Sequence, residues 1–346
     1  MPLSPPPDLI PCEPGPISIL LSSATSEKLS GQIQAIARTA GCQVVFHIAP
    51  DNRQGSFPNC PAIDVAFYSR DIWQGSGLNT PNEASLAFFA TLQRARQLGW
   101  LHVMSAGSDL PTYAAVRDRC VMTTSQGAGA IPIAQTVLAS VLWRSRGFPA
   151  WQDAQARHVW ARSPAEIHPV DLENQTAIVV GMGRVGSEIA RHLRFVGTHT
   201  IGVRRGTDKH PHFDESHRLE ELDSLLPGCD WLILACPLTT ETQGLMNRSR
   251  LALMPRHSTL INVGRGGLVD EPALIEALTQ GRIAGAHLDV FATEPLPATS
   301  PLWDLPKLTI SPHASGLSSG FAALVDVIFL ENFERWLAGA ELKNRI

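Results

Sequence analysis

The run Thr176-Ala-Ile-Val-Val-Gly-Met-Gly-Arg-Val-Gly186 does most to limit what this chain can fold into. Its apolar, partly β-branched part, Ala177 to Val180, predicts a buried strand. The strand ends in Gly181-x-Gly183-x-x-Gly186, and Ser187-Glu-Ile-Ala-Arg-His-Leu193 continues at helical spacing. Strand, glycine turn and helix form the setting in which this motif binds a dinucleotide. Gly181 permits the tight turn, Gly183 lets the backbone approach a pyrophosphate, and Gly186 lets helix and strand pack closely. Arg184 and Val185 stand at the helix start, where free N–H groups and the positive dipole end receive phosphates. A purely structural strand-to-helix turn is the alternative.

The chain has 346 residues, enough for about two domains and a large core. A hydrophobic content of 44% with 17% charge fits a globular protein, and a net charge of -4 favours neither nucleic acid nor an anionic membrane as partner. The six cysteines, Cys12, Cys42, Cys60, Cys120, Cys229 and Cys236, are scattered without a CxxC pair. That spacing argues against a zinc site and for a reducing compartment, with no metal expected. Met1-Pro-Leu-Ser-Pro-Pro-Pro7 lacks the basic and apolar regions of a signal peptide and reads as a disordered or polyproline lead-in. The longest candidate span, Phe321 to Leu330, is interrupted by Asp326 and is too short to cross a bilayer. A cytoplasmic setting is expected.

Ile17–Leu21, Val44–Phe46, Val65–Phe67 and Leu101–Val103 read as short strands, with helices after Ser26 and from Ala84 to Leu98. Such alternation predicts a parallel sheet with both faces covered. Ile131 to Arg146 is a long apolar helix, either between domains, with a subunit contact as a further role, or in the core of one domain. His199–Val203, Trp231–Ala235, Thr259–Val263, Ala284–Val290 and Leu308–Ile310 continue the strands after the glycine turn, and Leu324 to Leu337 forms a last amphipathic helix.

Ligands of open parallel sheets sit beyond the C-terminal ends of strands. Arg265, Glu294 and His313 each follow such an end. Singly they read equally as a surface cation, a solvated loop charge and a core histidine. Their joint position behind a dinucleotide motif favours a shared crevice.

Several segments resemble the D-isomer-specific 2-hydroxyacid dehydrogenase family. They are Val180–Gly186, Cys236-Pro-Leu-Thr239 with Thr242, Leu260–Asp270, Gly285–Phe291 with Glu294-Pro295, and Ser311-Pro-His313. They occur in the family's order over most of residues 100 to 346, and the front of the chain matches only loosely. The resemblance implies reduction of 2-keto acids with a nicotinamide cofactor and a catalytic set of Arg265, Glu294 and His313. Arg265 would hold the substrate carboxylate and polarise the C2 carbonyl. His313 would give or take the proton, and Glu294 would orient the imidazole and favour its charged form. The loop Ser105-Ala-Gly-Ser-Asp109 matches the family's carboxylate-binding loop, which implies Ala106, Gly107 and Ser108 as substrate contacts. An ordinary strand-to-helix turn is the other reading of that loop. Cys236, Pro237, Thr242, Val263 and Gly264 join the cofactor contacts by the same resemblance. Asp289 resembles the residue that meets the nicotinamide amide, although an acid at a strand end can also cap a neighbouring turn. Tyr68 and Arg70, after a strand of the first domain, are candidates to face the substrate.

An NAD enzyme of this design ends its second strand with Asp or Glu for the ribose hydroxyls. Here Arg204 and Arg205 stand there, with Lys209 nearby, which suits a 2′-phosphate. NADPH is therefore expected over NADH, with stacking of Arg204 on adenine and dual specificity as the alternative. The chain departs from the family at Ser125-Gln-Gly-Ala128, where an Asn-x-Pro turn is usual, and at Gln135, where Glu is usual.

The expected architecture is α/β, with two doubly wound parallel-sheet domains and a cleft between them. Residues 1–131 with 316–346 would form a flavodoxin-like substrate domain, and 132–315 a Rossmann-type dinucleotide domain. The expected activity is reduction of a small glyoxylate- or hydroxypyruvate-type keto acid to the D-2-hydroxy acid by a cytoplasmic homodimer, NADP(H) being preferred and NAD(H) usable. The competing reading is a nucleotide-sensing, corepressor-like binding protein on the same scaffold. A formate- or phosphite-oxidising relative is a third, which Glu294 disfavours because the formate enzymes carry Gln there.

Overall fold

The computed structural model describes residues 15–52, 62–74, 76, 80–108, 110–162, 169–206 and 210–346. The expected lead-in, Cys12, Cys60, Asp109 and Lys209 lie outside the described residues. The chain folds into two compact units, Met1–Ala128 with Ser319–Ile346 and Gly129–Ser318.

The first unit is built on β1 (Ile17–Leu21), β2 (Val44–Ile48), β3 (Ile63–Tyr68), β4 (Leu98–Val103) and β5 (Val121–Thr124). Their order is β2-β1-β3-β4-β5, and every pairing is parallel. The helix after β1, Ser23–Thr39, starts where the Ser22 side chain accepts the Thr25 N–H at 3.0 Å. The helix expected to reach Leu98 ends at Arg94, because Ala95 already has extended backbone and Leu98 opens β4. The C-terminal helix Phe321–Leu337 buries Val325, Phe329 and Phe333 in this core, with Phe329 stacked on Phe67 at 4.3 Å. Asp326, which interrupts the apolar run, pairs with Lys28.

His102 is fully buried, its Nδ1 2.7 Å from Thr123 Oγ1 and its Nε2 3.0 Å from Ser125 Oγ. Burial pushes its pKa down to about 3. Ser125, one of the departures noted above, thus spends its hydroxyl inside the core. Tyr68 does not face a substrate. It is buried, its hydroxyl 2.6 Å from Ser85 Oγ and its ring against Phe88 and Phe89.

The second unit holds β6 (Thr176–Val180), β7 (His199–Arg204), β8 (Glu215–Arg218), β9 (Trp231–Leu234), β10 (Thr259–Asn262), β11 (Gly285–Leu288) and β12 (Leu308–Ile310). The order β12-β11-β10-β9-β6-β7-β8 is parallel throughout and reverses between β6 and β9. Such a reversal is where open α/β sheets take their ligands. Ala177 and Val179 face one side of the sheet, Ile178 and Val180 the other, and both sides are packed. The helix Ala130–Ser145 lies on the first side with Ala134, Val137 and Val141, against the helix Arg184–Phe195. It is therefore a core helix of this unit that leaves Ile131 and Leu142 exposed. No helix among the described residues is long and apolar enough to cross a membrane.

Candidate active site

The glycine turn has three different needs for a missing side chain. Gly181 has φ +106°, and a Cβ there would lie 2.6 Å from the Ala235 carbonyl oxygen. At Gly186 a Cβ would come within 1.8 Å of the Gly181 carbonyl oxygen, so close packing of turn and helix forbids it. At Gly183 a Cβ would meet nothing within 4 Å. Open space beside an extended backbone leaves room for a ligand. The N–H groups of Gly183, Arg184 and Val185 have no acceptor among the described residues. A helix start of this kind suits a pyrophosphate, so the turn fits a dinucleotide.

Arg204 closes β7 with no carboxylate on its side chain among the described residues, while Arg205 is exposed and 3.6 Å from Glu241. The loop after β9 carries buried Cys236, whose thiol is pushed up to about 11 by burial and is therefore unreactive. Thr242 Oγ1 closes that loop on the Pro237 carbonyl at 2.8 Å. Val263 and Gly264 follow β10, where the Gly264 N–H reaches Asn262 Oδ1 at 3.1 Å.

Strands β10, β11 and β12 lie side by side, with Asn262 paired to Leu288 and Leu288 to Ile310. Arg265, Glu294 and His313 therefore leave one sheet edge on three neighbouring loops. The turn that delivers Arg265 is shaped by buried Asn262, whose Nδ2 donates to the Arg265 carbonyl at 2.9 Å. Arg265 Nη1 donates to the Gly264 carbonyl at 2.8 Å.

His313 Nδ1 lies 2.7 Å from Glu294 Oε2. The other oxygen of Glu294 accepts the Phe291 N–H at 2.9 Å, so the carboxylate is fixed from behind. The Glu294 side chain is 15% exposed and that of His313 36%. The imidazole is thus open on the side away from its carboxylate, as a proton donor must be. His313 has φ +51°, a left-handed backbone that a non-glycine residue adopts only when its surroundings hold it there.

Asp289 supplies much of that hold. It is 1% exposed, and its Oδ1 accepts the N–H groups of Ala314 at 2.9 Å and Ser315 at 3.0 Å and the Ser311 hydroxyl at 2.5 Å. Its Oδ2 takes the Ser315 hydroxyl, and its carbonyl accepts the His313 N–H at 2.7 Å. Asp289 therefore works as a cap for the turn that carries His313. Neither Ser311, Ser315 nor Asn262 stood out in the sequence. An Asn just before a Gly-x-Gly turn is a signal for such a local bond, whereas the serines show no signal beyond lying beside the histidine.

In the first unit, Ala106, Gly107 and Ser108 follow β4. The Ser105 hydroxyl donates to the Gly107 carbonyl at 2.7 Å and meets the Tyr113 hydroxyl at 2.8 Å, and Arg117 donates to the Ser108 carbonyl. The N–H groups of Ala106, Gly107 and Ser108 have no acceptor among the described residues. Three consecutive free donors suit a carboxylate. Among the described residues no cluster of histidine, cysteine and acidic side chains could hold a metal ion.

A switch-point sheet with a phosphate-ready glycine turn, and a histidine–carboxylate pair beyond the same strand ends, define a nucleotide-dependent oxidoreductase. Comparison with known proteins places it more closely. Residues 138–315 match the family described as D-isomer specific 2-hydroxyacid dehydrogenase, NAD binding domain. Glyoxylate/hydroxypyruvate reductase B of Pectobacterium carotovorum subsp. carotovorum (strain PC1) is 35% identical over 64% of this chain and 70% of that protein. A family protein from Aeromonas salmonicida subsp. salmonicida A449 superposes with TM-score 0.79 at 27% identity, covering 96% of this chain and 99% of that one. A D-isomer specific 2-hydroxyacid dehydrogenase from Xanthobacter autotrophicus Py2, in complex with NADPH and MES, gives TM-score 0.73 at 30% identity, over 96% and 98% of the two chains. The chain belongs to the D-isomer specific 2-hydroxyacid dehydrogenase family and is an oxidoreductase acting with NAD(P).

Proposed function

We propose that this enzyme reduces a small 2-keto acid, of the glyoxylate or hydroxypyruvate type, to the D-2-hydroxy acid with NADPH. The observation that carries this reading is the 2.7 Å contact of His313 with Glu294. Because Nδ1 is turned to the carboxylate, Nε2 is the nitrogen that hands its proton to the substrate carbonyl oxygen. Glu294 holds the ring in that orientation and compensates its positive charge. Arg265 offers a planar fork of donors to the substrate carboxylate and draws electron density from the adjacent carbonyl. The free N–H groups of Ala106, Gly107 and Ser108 suit a carboxylate. When bound, the nicotinamide supplies the hydride. In the reverse direction neutral His313 takes the hydroxyl proton.

The cofactor contacts are Gly181, Gly183, Arg184, Val185 and Gly186 for the pyrophosphate and Cys236, Pro237, Thr242, Val263 and Gly264 toward the nicotinamide side, whereas Asp289, expected among them, spends both carboxylate oxygens on the turn that carries His313. Arg204 and Arg205 take the 2′-phosphate, which sets NADP(H) above NAD(H). The NADPH in the Xanthobacter relative supports that preference. Residues 1–131 with 316–346 serve as substrate domain and 132–315 as cofactor domain. Glyoxylate/hydroxypyruvate reductase B as a relative supports a small polar substrate. Cys120, Cys229 and Cys236, which form no disulfide among the described residues, support a reducing, cytoplasmic setting. Exposed Ile131, Leu142, Phe148 and Trp160 on and beyond the Ala130–Ser145 helix support a homodimer, which sedimentation would detect.

The test is initial-rate oxidation of NADPH, and separately NADH, with glyoxylate, hydroxypyruvate, pyruvate and phenylpyruvate. Saturable turnover of a small acid with NADPH supports the reading. Tight NADPH binding without turnover of any of these acids overturns it in favour of a different substrate or a nucleotide sensor.

A further inference from the structure

Behind the turn that carries His313 lies a histidine that the reaction does not use. His287 sits in the middle of β11, 4% exposed, with its Nε2 3.1 Å from Ser311 Oγ. Serine has one proton to give. Ser311 gives it to Asp289 Oδ1 at 2.5 Å, an oxygen that already accepts two backbone N–H groups and has nothing to donate there. Ser311 Oγ must therefore accept from His287, which fixes the imidazole as the Nε2–H tautomer. Nδ1 is left as the bare nitrogen, and it has no partner among the described residues. Burial lowers the pKa of His287 to about 4, Asp289 raising it and Arg144 lowering it, so the ring stays neutral at working pH.

We propose that His287 is a positioning residue of the reaction, acting through Ser311 and Asp289 on the backbone of His313. The order of donation is His287 Nε2–H to Ser311 Oγ, then Ser311 O–H to Asp289 Oδ1. Asp289 in turn fixes the Ala314 and Ser315 N–H groups and takes the His313 N–H on its carbonyl. A turn held at both ends in this way keeps His313 at φ +51° and its Nδ1 on Glu294. Such a chain of bonds polarises along its length, and one direction of donation serves it. The anchor behind it is Arg144 from the Ala130–Ser145 helix. Its Nη2 donates to the carbonyls of Ala286 at 2.8 Å and Lys307 at 2.9 Å and to Thr309 Oγ1 at 3.1 Å, which ties β11 to β12 where His287 and Ser311 meet. This inference rests on His313 as the acid/base proposed above.

Three variants test it: His287→Met, which keeps bulk and loses the donor, His287→Gln, whose amide can still donate to Ser311, and Ser311→Ala. The expected result is a fall in kcat of roughly tenfold in His287→Met with KM little changed, because the proton donor is misplaced while the binding groups stay. The pH profile of kcat should shift with it, His287→Gln should recover most of the rate, and the His287→Met/Ser311→Ala pair should be no worse than the more damaging single change. Unchanged kcat and pH profile in His287→Met, or equal rates for the Met and Gln variants, overturn the proposal. His313→Ala separates the two readings. Turnover that survives in His313→Ala removes the acid/base assignment itself, whereas turnover lost there and untouched in His287→Met removes only the relay.

Discussion

Gly266 lies so close to Phe291 that a Cβ on the glycine would come within 1.9 Å of the Phe291 carbonyl carbon. The backbone that delivers Arg265 is thereby seated on the backbone whose Phe291 N–H holds Glu294. Gly266→Ala should lower stability by about 3 kcal/mol or more, beyond ordinary overpacking, because backbone cannot move aside as a side chain can. Urea unfolding checks it, and a loss below 1 kcal/mol would show that the two segments separate easily.

Two other glycines should part company. Gly186→Ala meets the Gly181 carbonyl oxygen at 1.8 Å and is expected to destabilise the second unit. Gly183→Ala meets nothing and should melt like the parent, yet bind NADPH more weakly if the space it fills is the one proposed for the pyrophosphate. Fluorescence titration of NADPH and a thermal melt of each variant decide the matter. Normal affinity in Gly183→Ala would count against the turn as a phosphate site.

Cofactor choice is expected to hang on Arg204. Replacing it by Asp should weaken NADPH binding by roughly tenfold to a hundredfold, the worth of a charge-assisted bond, and spare NADH. Dissociation constants for both cofactors measure this directly. Equal losses for the two would assign Arg204 to stacking on the adenine.

Glu294→Gln should leave the fold intact and lower kcat, because an amide oxygen can still accept from Nδ1 but no longer compensates a charged ring. The loss in His313→Ala should be larger, on the order of a hundredfold to ten-thousandfold. Reduction consumes one proton, so the equilibrium between keto acid and hydroxy acid should move about tenfold toward reduction for each unit fall in pH. Rates in both directions across pH 6 to 9, for parent and variants, check all three statements.

Acid should weaken both units. His102 in the first and His287 in the second stay neutral when folded down to about pH 3 and about pH 4. An unfolded histidine takes its proton near pH 6.5. Below that value the unfolded chain binds more protons, so each ring removes about 1.4 kcal/mol of stability per pH unit until its folded value is reached. Denaturant unfolding at pH 7, 6 and 5 should show the decline. A flat profile would mean that water reaches these rings.

What the sequence made legible follows from spacing and strand ends. Gly181 and Gly186 announced strand, turn and helix because a side chain at either would meet backbone, whereas Gly183 faces open space. Arg265, Glu294 and His313 could be grouped because parallel strands put all their C-termini at one edge, although the adjacency of β10, β11 and β12 needed the sheet order. β8 escaped notice because Glu-Ser-His-Arg218 carries no apolar signal and is held by its ladder to β7. Tyr68 misled for the opposite reason, since a polar tip at a strand end can point inward once Ser85 is there to meet it. The engagement of Asp289 by Ser311 and Ser315 depends on the left-handed turn at His313, which no pattern of residue types reveals.

The histidine, its carboxylate partner and Arg265 all belong to residues 129–318, whereas the Ala106–Ser108 loop belongs to the other unit. On the proposed reading, proton transfer and part of the recognition of the substrate acid are thus written on different stretches of chain. A relative could change its preferred acid by rebuilding the loops of the first unit alone and inherit a finished proton donor. For an engineer the same division marks where to diversify: around residues 105–108 for a new substrate, leaving the edge of the seven-stranded sheet as it is.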